Sequence, residues 1–119
     1  MPITKVLNPD FEKIIADRDM SQPVASDWID LLYFNSAFVL AVWQGVTGVL
    51  NGVLHIEVSN NQSPIDPPKF NESIRVIDTV QGEQGYNIWQ LGARWYRLVY
   101  TPNGTTGGTL NATITAKDA

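Results

Sequence analysis

The chain has 119 residues, 44% of them hydrophobic and 17% charged, which is enough for one domain with one hydrophobic core. Eight Lys and Arg stand against twelve Asp and Glu, a formal charge of −4, and Arg75, Arg94 and Arg97 form no basic run. A nucleic-acid or polybasic membrane partner is therefore not expected, because either needs a cationic patch, and the absence of cysteine excludes a disulfide framework and a thiolate zinc site.

The first fifteen residues, "MPITKVLNPDFEKII", place no cationic segment before an apolar one and are not read as a secretory leader. "ITKVL" (Ile3 to Leu7) alternates weakly, as an edge strand or an arm would. In "NPDFEKIIADRD", Asn8 and Pro9 stand at cap and first-turn positions, and Phe11, Ile14 and Ile15 fall at helical spacing. A helix of two or three turns is read here ahead of the alternative, a strand running toward Met20. Residues 1–18 are accordingly taken as an arm or short helix, and residues 19–119 as a β domain.

From Ser21 onward the strand signal dominates. "SDWIDLLYF" sets Trp28, Asp30, Leu32 and Phe34 on one side and Ile29, Leu31 and Tyr33 on the other. "AFVLAVWQG" is apolar on both faces, which predicts a central strand covered on both sides. The apolar stretch from Trp28 to Leu54 is interrupted by Asp30, Asn35, Gln44 and glycines, so it is not read as a membrane span. "GVTGVLNG" reads as a turn. "GVLHIEVSN" alternates, with Leu54, Ile56 and Val58 inward and Val53, His55 and Glu57 outward. "NNQSPIDPPKFN" is a long loop, "SIRVIDTV" a strand and "QGEQG" a turn. Two aromatic strands follow, "YNIWQL" and "RWYRLVYT". "PNGTTGG" reads as a hairpin loop, and "TLNATITAK" turns Leu110, Ala112, Ile114 and Ala116 inward. About seven or eight strands joined by hairpin-sized connections predict an all-β, antiparallel β-sandwich of jelly-roll style.

Reacting groups are sparse. His55 is the only histidine, and it shares a strand face with Glu57; an ordinary surface histidine is the preferred reading of that pair. The carboxylates are dispersed and read as solvated loop charges. The glycines of "NGTTGG" precede a strand, whereas a phosphate loop precedes a helix. No catalytic centre, metal or cofactor is expected. The sequons at Asn61, Asn71, Asn103 and Asn111 read as coincidences of an Asn- and Thr-rich composition. The aromatic residues Trp28, Trp43, Trp89, Trp95, Tyr86, Tyr96 and Tyr100 are assigned first to the core or to subunit contacts, and second to a sugar-stacking platform. Because Trp95 and Tyr96 are adjacent on a strand, one of them faces away from the core.

Two stretches carry a resemblance. "NGVLHIEVSNN" (Asn51, Gly52, Leu54, Ser59, Asn60) precedes "RWYRLVYTPNGTTGGTLNATITAK" (Tyr96, Arg97, Leu98, Val99, Tyr100, Thr101, Gly108, Thr109, Leu110, Asn111, Lys117). Together they resemble small β-sandwich proteins of bacteriophage virions, over about Asp19 to Lys117. The resemblance implies a non-enzymatic structural subunit of the virion (head decoration, vertex or spike, or tail-associated). It also implies a homo-oligomer that contacts other virion proteins. The residues alone leave open an alternative, a carbohydrate- or host-surface-binding module with a glycan as ligand. The apolar residues that precede the resembling region, Ile3, Val6, Leu7, Phe11, Ile14 and Ile15, are the candidates for contact with a partner subunit.

Overall fold

The computed structural model describes residues 12–31, 36–59, 70–89 and 94–117. They form nine strands: β1 (Glu12–Asp19), β2 (Val24–Ala25), β3 (Ile29–Asp30), β4 (Ser36–Gly48), β5 (Gly52–Ser59), β6 (Phe70–Ile77), β7 (Gly82–Trp89), β8 (Trp95–Thr101) and β9 (Thr105–Lys117). One sheet has four strands in the order β1-β9-β4-β7. The other has five, in the order β2-β8-β5-β6, with β3 also paired to β8. Every pairing is antiparallel. The expected antiparallel β-sandwich is the architecture found.

Strict alternation builds the core. β8 turns Tyr96, Leu98 and Tyr100 inward, β9 turns Leu110, Ala112 and Ile114 inward, and β4 turns Ala37, Val39, Ala41 and Trp43 inward. Leu54, Ile56 and Ile77 meet them from β5 and β6. Each large side chain buried this way stabilises the fold by roughly 1.5–3 kcal/mol. Tyr100 is fully buried, and its hydroxyl donates to the Met20 carbonyl at 2.8 Å. Burial raises its phenol pKa above the ordinary tyrosine value. At the open side, where β6 and β7 leave different sheets, polar contacts bridge the gap. Arg75 donates to Gln84, the Tyr86 hydroxyl donates to Glu72, and the Trp43 indole donates to Thr79.

Several expectations are corrected. Residues 12–19 are strand, not helix, and β1 pairs along β9 as part of the sandwich. Its register shifts between Lys13 and Ile15, and again between Ile15 and Arg18. These bulges break the two-residue period and leave Ile14 and Ile15 at a spacing that mimics a helix. At the second bulge Asp17 has a φ of 47°, and the Asn111 side chain satisfies it twice: Asn111 Oδ1 accepts from the Asp17 amide, and Asn111 Nδ2 donates to the Asp17 carboxylate.

The strand expected from Ser26 to Phe34 is reduced to Ile29–Asp30 within the described residues, and Ile29, Asp30 and Leu31 are all buried. β4 is central, but among the described residues it is covered on one face only, since Phe38 and Val42 remain 39% and 40% exposed. Parts of three expected turns belong to strands, the first being residues 45–48 of "GVTGVLNG", which lie in β4. Gly82 and Gly85 lie in β7, where the Phe38 ring fills the space above Gly85. The "TTGG" residues lie in β9, with Gly108 at a φ of 129° accommodating a bend.

Candidate functional site

The outer face of the five-stranded sheet concentrates the polar and aromatic side chains that the core does not use. On β8, the residues between the inward tyrosines and leucine are Trp95, Arg97, Val99 and Thr101. The register of β5 sets Ser59, Glu57, His55 and Val53 directly opposite them. Antiparallel partners share a face, so Glu57 and Arg97 are cross-strand neighbours although forty residues separate them.

Arg97 Nε and Nη2 both approach Glu57 Oε1 at 2.7 Å. The Arg97 guanidinium also lies 4.6 Å from the centre of the Trp28 ring, so one cation is held between a carboxylate and an indole. Glu57 Oε2 lies 3.9 Å from His55 Nε2, beyond hydrogen-bond reach. A second such cluster adjoins at the end of β8. Arg94 forms a two-pronged pair with the Asp30 carboxylate, Nε to Oδ1 at 3.1 Å and Nη2 to Oδ2 at 2.9 Å. Its guanidinium stands 4.9 Å from the Trp95 ring. The β3–β8 register, which pairs Asp30 with Trp95, brings these groups together.

Burial corrects two sequence readings. His55 points outward as expected, but its side chain is only 15% exposed, because β5 runs between β6 and β8 and outward does not mean solvent-facing. Asp30 is not a solvated loop charge: its side chain is 1% exposed and lies against Arg94. Arg94 and Arg97, scattered in sequence, meet on one face, each beside its own carboxylate, whereas Arg75 bridges the two sheets. Of the aromatics, Trp43, Tyr96 and Tyr100 are core residues and Tyr86 packs against the core. Trp28 and Trp95 are half-buried on the outer face, and the Trp89 side chain lies outside the described residues. Among the described residues no group of three or more His, Cys, Asp or Glu is placed to hold a metal ion.

Of the candidate partner-contact residues, Ile15 is 3% exposed and belongs to this chain's own core, so it is not free for a partner. Ile14 is half-buried and packs against the same core. Ile3, Val6, Leu7 and Phe11 lie outside the described residues.

No protein-family model matches the chain, and no curated protein matches it. Solved structures similar to it include a carbohydrate-binding module from Clostridium stercorarium in complex with cellobiose. That structure has 10% identity and a TM-score of 0.36, and the match covers 94% of this chain and 85% of that one. A family 6 carbohydrate-binding module has 13% identity and a TM-score of 0.36, with coverage of 97% and 90%. A module of lichenase 5A from Cellvibrio mixtus, in complex with cellotriose, has 9% identity and a TM-score of 0.34, with coverage of 93% and 98%. At these identities and scores the functional reading rests on this chain's own residues.

Proposed function

We propose that the protein is a non-catalytic binding module that takes a neutral glycan on the outer face of its five-stranded sheet. One observation carries the reading: Arg97 held between Glu57 and Trp28, next to the Arg94–Asp30–Trp95 cluster. A sugar ring presents a C–H face that packs on an indole and a hydroxyl edge that both donates and accepts hydrogen bonds. The half-buried Trp28 and Trp95 indoles and the partly exposed Arg94 and Arg97 guanidinium groups, held in place by Asp30 and Glu57, complement both features. Two carboxylates stand against two guanidinium groups, so the patch carries no net charge from these four groups and favours a neutral ligand over an acidic one.

Tryptophan fluorescence titrated with neutral and uronic-acid oligosaccharides tests the reading. A neutral oligosaccharide is expected to shift the emission, and Trp28→Ala to weaken binding at least about tenfold, the loss expected of a buried aromatic anchor. No response to any neutral oligosaccharide would refute it. A second reading, a virion structural subunit, is favoured by the apolar outer stripe of β4, a surface that assembly would cover. Its test is quantitative mass spectrometry of purified particles, in which such a subunit is present at many copies.

A further inference from the structure

Where β4 bends, outward side chains of two strands enclose a pocket. β4 bulges between Gln44 and Thr47, with Gly45 at a φ of 67°, and the Val46 amide donates to the Val80 carbonyl at 3.0 Å. That bond seats the turn carrying Gln81 beside the bulge. Val42 pairs with Glu83, and Trp43 with Gly82. The Trp43 side chain turns inward and is only 1% exposed, so the Trp43–Gly82 pair provides a main-chain floor. Val42 and Gln44 on one side, with Gln81 and Glu83 opposite, are exposed and form the walls. The open pocket holds about 310 Å³, at the lower end of the range for small-molecule sites. The Gln44, Gln81 and Glu83 side chains make no hydrogen bond or ion pair with another described residue.

We infer that this pocket binds a small hydroxylated organic cation: a protonated primary amine of monosaccharide size, with hydroxyls beside the ammonium. Glu83 is the one acidic residue in the walls. A carboxylate accepts hydrogen bonds and donates none, and it pairs most strongly with a charged donor. Each glutamine amide both donates and accepts, which matches hydroxyls. Val42, 40% exposed, offers an apolar wall to a carbon skeleton. The surroundings favour a cation as well. Asp17 is bonded to Asn111, the β9 neighbour of Val42, and Asp19 lies in the row of Thr109 and Gln44. The basic residues of this sheet, Lys13 and Arg18, stand on β1, three strand steps or about 14 Å from β7. Arg75 lies over the buried Trp43 ring and is already engaged by Gln84 and Asp78. The pocket belongs to the four-stranded sheet, so the inference does not rest on the glycan reading of the other sheet.

Nitrogen-15 chemical shifts of the full chain, titrated with protonated D-glucosamine at constant ionic strength, read the site directly. Saturable shifts are expected at the Val42, Gly82 and Glu83 amides and at the Gln44 and Gln81 side-chain amides. D-glucose carries a hydroxyl in place of the ammonium and should bind at least about tenfold more weakly, the loss of one charge-assisted hydrogen bond. Cyclohexylamine keeps the ammonium and a six-membered ring but has no hydroxyls, and it should bind several-fold more weakly. Glu83→Gln keeps the shape of the wall and should weaken glucosamine at least about tenfold while leaving glucose unchanged, a selectivity that general destabilisation cannot produce. Far-ultraviolet circular dichroism checks that the variant is folded, and Glu83→Ser replaces it if it is not. Shifts that grow without saturating, or saturable shifts only elsewhere on the chain, would overturn the inference. So would an equal response to glucose or to cyclohexylamine, or a Glu83→Gln chain that binds glucosamine as the unchanged chain does.

Discussion

Arg97 and Arg94 show how much a residue's role depends on what lies across the sheet. Each has a carboxylate partner and an indole neighbour, but the two pairs differ in burial. Glu57 is 12% exposed and Asp30 only 1%, whereas the Arg94 side chain keeps 32% of its surface. Removing a partner from a buried charge costs about 3–5 kcal/mol, because the charge left behind is poorly solvated. Arg94→Met should therefore cost about 3 kcal/mol, at the lower end because the pair is partly solvated. Asp30→Asn should cost less, about 1–2 kcal/mol, since water reaches the guanidinium that remains. Urea unfolding of the two variants reads the difference. Equal losses would mean that other groups of the fold hold the Asp30 carboxylate without Arg94. None of this is visible in the linear sequence. Asp30 and Arg94 are sixty-four residues apart, and only the β3–β8 register brings them together. For Glu57 and Arg97 a signal does exist: both occupy outward positions of strands whose alternation is plain, and an opposite-charge pair across two such strands is a testable register.

At the scale of elements, legibility follows regularity. β5 and β8 pair without interruption, so period two survives and Leu54, Ile56, Leu98 and Tyr100 are found inside where alternation puts them. β1 is bulged twice, and there the apolar spacing misleads. Glycine misleads in the other direction. Gly85 reads as a turn residue, but a Cβ at this position would lie 2.5 Å from the Phe38 ring, so it is a strand position kept open for an aromatic neighbour. Apolar residues on both faces of β4 correctly mark it as central, but they do not show that its outer face is open within the described residues. The incorporation of β1 into the sandwich has a measurable consequence. Ile15 sits in the core, and Ile15→Ala should cost about 2–4 kcal/mol. Deleting residues 1–15 removes that side chain and half the strand, so the truncated chain should lose at least as much stability. A truncation that melts at the same temperature as the full chain would show that β1 contributes no stability to the sandwich.

At the scale of the whole molecule, the two sheets present unlike faces to the outside. One is apolar at its centre and flanked by threonine and asparagine, with Lys13, Asp17 and Glu83 at its edges. The other is aromatic, with opposite charges already paired, a surface suited to a small polar ligand. The cores of both sheets are filled by the same alternating side chains, so function is assigned by the outward-facing half of each strand, which folding leaves free to vary. The most direct test of the glycan reading is to locate a bound ligand. Amide chemical shifts of the nitrogen-15-labelled chain, followed during titration with a neutral oligosaccharide, report the site residue by residue. Saturable shifts are expected at His55 and Glu57 on β5, at Trp95 and Arg97 on β8 and at the Trp28 indole, with β4 and β9 unchanged. Shifts confined to the four-stranded sheet or to the strand-end turns, or no shifts at millimolar ligand, would contradict it.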